Sequence, residues 1–126
     1  MSKNIVLSEK APAPIGPYSQ AVSYGDLLFV SGQIAIEPES GDLVQGNIAL
    51  ETEQVMKNLK AVLEEAGMDF SNVIKCSIFL KTMDDFAPVN EIYGTFFSTY
   101  PPARETVAVA GLPKGVNVEI SCIAGR

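Results

Sequence analysis

The chain has 126 residues, and fifteen acidic against nine basic side chains leave a formal charge of −6, which reads as one acidic domain over residues 1–126. Hydrophobic residues make up 47% and charged residues 19%, close to the averages for globular domains, which disfavours extensive disorder, collagen-like repeats and a long coiled coil. There is no histidine, which removes Ser-His-Asp and Cys-His triads, a histidine general base and His-ligated zinc or haem. Cys76 and Cys122 form no CxxC pair, so neither a disulfide scaffold nor a four-cysteine zinc site is expected, and reduced thiols in a cytoplasmic protein are the default. The first ten residues hold only three consecutive apolar side chains and no later window approaches 18, which argues against a signal peptide or a membrane helix. The nine scattered basic residues supply no patch for a phosphate backbone, so nucleic acid is not an expected partner.

Along the chain, Ile5-Val6-Leu7 reads as an edge strand. Ala11 to Pro17 carries three prolines and reads as extended coil laid over a surface. Ala21–Tyr24 and Leu27–Ser31 flank Gly25-Asp26, the signature of a β-hairpin with a two-residue turn. From Ile48 the period changes: Val55, Leu59, Val62, Leu63 and Ala66 share one helical face, with Asn47 as N-cap and Gly67 as stop. Val73–Lys81 alternates as a strand with Ile74, Cys76, Ile78 and Leu80 on its apolar face. A second helix is expected from near Pro88 through Val89, Tyr93, Phe96, Phe97 and Tyr100, stopped by Pro101-Pro102. Arg104–Ala110 and Val116–Ala124 then read as strands joined by a loop long enough for an antiparallel return. The order predicts an α+β fold, a mixed β-sheet of five or six strands with both helices on one face. Val73, Phe79, Val107, Val109 and Ile123 are left for the other face, and an uncovered apolar sheet face predicts oligomerisation.

Several residues have the chemistry for a site. Arg104 opens a strand behind Pro101-Pro102-Ala103; a rigid guanidinium suits bidentate carboxylate capture, and a structural salt bridge is the alternative. Glu119 alternates with Val118 and Ile120, which puts it on the uncovered face. It is either a semi-buried, water-holding carboxylate or a solvated one. Tyr18 is a hydrophobic plug or a phenol facing a ligand. Gly32, in Ser31-Gly32-Gln33, marks either close backbone approach to an anion or a bulge. Both cysteines sit among Ile and Leu neighbours and read as core thiols. No calcium-loop, dinucleotide or phosphate-loop motif is present, so no metal or cofactor site is expected.

The stretches Gly16-Pro17-Tyr18-Ser19-Gln20-Ala21, Phe29-Val30-Ser31-Gly32-Gln33, Asp85 to Tyr93, Tyr100 to Arg104, and Leu112 to Ile120 together resemble the RidA (YjgF) family of reactive intermediate imine deaminases, across essentially the whole chain. The resemblance implies a chorismate-mutase-like α+β fold, assembled as a homotrimer with ligand sites in the clefts between subunits. It implies hydrolysis, without a cofactor, of 2-iminobutanoate, 2-iminopropanoate and their enamine precursors, left by PLP-dependent dehydratases, to 2-keto acids and ammonia. By position, Arg104 would clamp the substrate carboxylate with help from the Gly32 backbone, Tyr18 would border the ligand, and Glu119 would position or activate water. The backbone of Thr106, at a position where many family members carry Cys, would contact the reacting end. The competing function is a non-catalytic trimer that binds small keto or amino acids as a metabolic regulator. Ribonuclease activity, attributed to some relatives, would need a basic groove that the charge balance disfavours.

Overall fold

The computed structural model describes residues 2–126. Six strands, β1 (Lys3–Val6), β2 (Ala21–Tyr24), β3 (Leu27–Gln33), β4 (Val73–Leu80), β5 (Ala103–Ala108) and β6 (Val118–Gly125), form one sheet in the order β1-β2-β3-β6-β4-β5, joined by helices α1 (Ile48–Glu65) and α2 (Phe86–Gly94). Neighbouring strands are antiparallel except β4 and β5, which run parallel across the α2 crossover. This is the mixed six-stranded α+β sheet that the element order predicts, in the arrangement of the chorismate-mutase-like fold. No helix among the described residues is long and apolar enough to cross a membrane.

Local chemistry accounts for the long helix. Asn47 Oδ1 accepts from the Leu50 N–H at 3.1 Å, satisfying one of the free donors at the start of α1. Val55, Leu59, Val62 and Leu63 are fully buried and meet Val118, Ile120, Cys122 and Ala124 of β6 in a continuous core. Gly67 at φ +73 reverses the chain, and the Met68 and Gly67 N–H groups close back on the carbonyls of Leu63 and Glu64 at 2.9 Å each.

Three expectations are corrected. The second helix ends at Gly94, and Phe96 and Phe97 follow in a tighter turn whose N–H groups donate to Tyr93 and Gly94. Their rings stack around Phe70 with centroids 5.3 and 5.4 Å away, so helical spacing there reflects an aromatic cluster. Tyr100 lies beyond it, 96% exposed. The last two strands are not a hairpin: β4 lies between β5 and β6, which pairs with β3 and β4 instead. Finally, a bulge between Val73 and Lys75 turns Val73 into the core and leaves Ile74 exposed, the reverse of simple alternation.

The remaining sheet face carries Phe29 beside Ile123 across β3 and β6 and, further along the strands, Phe79 beside Val107 across β4 and β5, with Glu119 of β6 opposite Phe79. Phe29 is 45% and Val107 43% exposed, since both helices pack on the opposite face.

Candidate active site

A cleft of ≈ 450 Å³ opens between the proline-rich segment, the end of β3 and the turn at Pro113, with Pro12, Tyr18, Gly32, Ile34, Pro113 and Glu119 among its walls. The proline segment cannot bond into the sheet, so a side chain holds it. Buried Gln20 accepts from the Ser8 N–H at 2.6 Å and donates to the Ser8 and Pro12 carbonyls at 3.1 and 2.8 Å, in place of the missing ladder. Ser31 Oγ donates to the Ser19 carbonyl at 2.6 Å, fixing the chain next to Tyr18. Tyr18 itself is half exposed, its hydroxyl accepting from the Ile15 N–H at 3.4 Å, which makes it a wall of the cleft and not a core plug.

The floor is a β-bulge. Register passes from Val30 opposite Cys122 to Gln33 opposite Ile120, so β3 carries one residue more than β6 and Gly32 is pushed toward Glu119. A Cβ on Gly32 would fall 2.8 Å from Glu119 Cδ and closer still to Oε2, so any larger residue would push the carboxylate aside. Glu119 is half-buried, and burial raises its pKa above the usual 4.5. A carboxylate so placed exchanges protons nearer neutrality than a solvated one.

Tyr18, Gly32 and Glu119 are thus brought together, while Arg104 and Thr106 are not with them. Arg104 is the register partner of Cys76, which faces Cys122 in the helix-side core; Glu119, one step out of that alternation, lies on the other face. Arg104 makes no ion pair: among the described residues those found join Lys57 to Glu53 and Lys75 to Glu105. Instead its Nη1 donates to Asn90 Oδ1 at 2.7 Å, over the rings of Tyr93 and Phe86. Thr106 Oγ1 is buried without a hydrogen-bond partner. Both cysteines are buried and free; burial pushes the Cys122 thiol up to about 12 and raises that of Cys76, as inert core thiols require. Among the described residues no cluster of three or more His, Cys, Asp or Glu side chains could hold a metal ion.

Gln20 and Asn90 support the site without having announced themselves as single residues. Gln20 bonds to residues eight to twelve positions earlier and Asn90 to one fourteen positions later, so no local pattern marks either. The nearest signal for Asn90 is a polar residue between Phe86 and Tyr93 on one face of α2.

The family model described as Endoribonuclease L-PSP matches residues 8–125. A RutC family protein of Pyrococcus abyssi is 48% identical over 124 residues, covering 98% of each chain. A Mus musculus protein named 2-iminobutanoate/2-iminopropanoate deaminase is 48% identical over 122 residues, covering 97% of this chain and 90% of that one. The crystal structure of E. coli TdcF with bound serine superposes with a TM-score of 0.93 at 38% identity, covering 98% of each chain. With matches that run through the cleft, the Arg104 edge and nearly all of the sequence between, the chain belongs to the YjgF/RidA family.

Proposed function

We propose that this chain is a single RidA-like domain over residues 1–126 that assembles as a cytoplasmic homotrimer and hydrolyses 2-iminobutanoate and 2-iminopropanoate to the 2-keto acid and ammonia. The observation that carries the reading is the half-buried Glu119, its pKa raised by burial, held against Gly32 in a cleft of ligand size. Arg104, without a carboxylate partner in its own chain, supports the trimer, because a subunit docked on the open face can bring its guanidinium to that cleft. Deaminase names among relatives at about half identity support the substrate class.

In this mechanism the partner subunit's Arg104 grips the substrate carboxylate in a two-pronged hydrogen bond and the Gly32 backbone lies against it. Tyr18 flanks the chain of the substrate, and the backbone of the partner subunit's Thr106 lies at the reacting end. Glu119 takes a proton from water as the water oxygen adds to the C=N carbon, and returns it to the nitrogen, giving a carbinolamine. Glu119 then takes the carbinolamine hydroxyl proton and passes it to the amino nitrogen as the C–N bond breaks, C=O forms and ammonia leaves. An imine is already electrophilic, so positioning and one proton shuttle suffice, and no cofactor enters. The serine bound to TdcF, which is not an imine, favours the second reading, a non-catalytic binder of small amino or keto acids that acts as a regulator.

The test generates 2-iminobutanoate in situ with a threonine dehydratase and follows release of 2-oxobutanoate. Wild type should exceed spontaneous hydrolysis, and Arg104→Ala should lose roughly ten- to a hundred-fold, the worth of a charge-assisted hydrogen bond. Glu119 must be ionised to take the proton, so activity should fall on the acid side with an apparent pKa above 4.5, and Glu119→Gln should remove that limb with most of the rate. No rate above the spontaneous reaction overturns the enzymatic reading in favour of the binder.

A further inference from the structure

Arg104 is exposed on an edge strand, where a long side chain ordinarily samples many rotamers. Here three residues of α2 restrain it. Nη1 donates to Asn90 Oδ1 at 2.7 Å, while Cζ sits 5.1 Å from the Tyr93 ring centroid and 5.7 Å from that of Phe86, both within cation–π range. Phe86, Asn90 and Tyr93 are spaced i, i+4, i+7, so they form one stripe on the helix.

The residue types follow from the task. A guanidinium only donates, so the amide must present its oxygen, and a neutral acceptor holds the arginine without cancelling its charge. An aspartate at position 90 would hold it as well but would compete with an incoming anion. The Tyr93 hydroxyl is buried toward the Cys76 thiol, and Tyr93 meets Arg104 through its ring. With Nη1 engaged, the Nε–Nη2 edge remains for a carboxylate in fork geometry.

We propose that Asn90, seated between Phe86 and Tyr93, is the positioning residue that aims the Arg104 fork at the substrate carboxylate. The identity of that substrate rests on the deaminase reading; the restraint on Arg104 does not. In the full-length protein, Asn90→Ala should lower kcat/KM for 2-iminobutanoate about ten-fold, chiefly through KM, because the carboxylate is held alike in ground and transition states. Affinity for 2-oxobutanoate by calorimetry should fall by a similar factor. The nitrogen-15 signals of the Arg104 guanidinium, resolved in wild type by hindered rotation, should merge in Asn90→Ala. Asn90→Asp should keep those signals resolved yet bind 2-oxobutanoate more weakly than Asn90→Ala, a split that a merely structural role would not produce.

Unchanged guanidinium signals and unchanged 2-oxobutanoate affinity in Asn90→Ala overturn the proposal. If wild type leaves the imine untouched while Asn90→Ala still frees Arg104 and weakens 2-oxobutanoate binding, the positioning role stands and the deaminase reading falls.

Discussion

Gly32 and Glu119 constrain each other. The bulge that carries Gly32 leaves no room for a side chain under the carboxylate, so Gly32→Ala should rotate Glu119 out of the cleft. Such overpacking costs about 1–3 kcal/mol, and the deaminase rate should drop at least ten-fold while the thermal midpoint falls only modestly; a full rate in Gly32→Ala would show that the carboxylate's orientation is irrelevant. The placement of Glu119 on the uncovered face was legible from strand alternation, since β6 keeps perfect period two from Val118 to Gly125. The same rule puts Arg104 and Thr106, two positions apart on β5, on one face of that strand. The partners that hold these residues were not legible as such. Gln20 and Asn90 act on atoms far along the chain, and neither residue type nor spacing encodes a contact that only the fold creates.

The cleft's outer wall, the segment from Ser8 to Pro17, has no place in the sheet and depends on Gln20. Gln20→Ala leaves the buried Ser8 N–H unpaired, which should lower unfolding free energy by about 1–3 kcal/mol in urea titration and speed hydrogen exchange at Ser8 above all. Unaltered exchange there would mean that the wall holds itself. Among the elements, α1 was readable because cap, period and stop agree over eighteen residues. The end of α2 was not: Phe96 and Phe97 keep helical spacing but pack on Phe70 from a turn, and tertiary packing overrides local pattern there. Strand order was hidden for a related reason. A loop of hairpin length between β5 and β6 says nothing about β4, which comes earlier in the chain and takes the place between them.

For the molecule as a whole, the face bearing Phe29, Phe79, Val107 and Ile123 is the surface on which the proposed trimer depends. Phe29→Asp places a charge in that face without touching the helix-side core, so sedimentation should report single chains that retain their far-ultraviolet circular dichroism and lose imine hydrolysis together with assembly. Single chains with full activity would place the whole site within one subunit. The position of β6 also bears on synthesis. Val30 of β3 pairs with Cys122, so on a translating ribosome β3 and β4 each emerge with an open edge that only a much later segment can close. Neighbouring nascent chains on one messenger expose the same edges at the same time, and a translational pause just before Val118 would prolong the interval in which they can pair with one another.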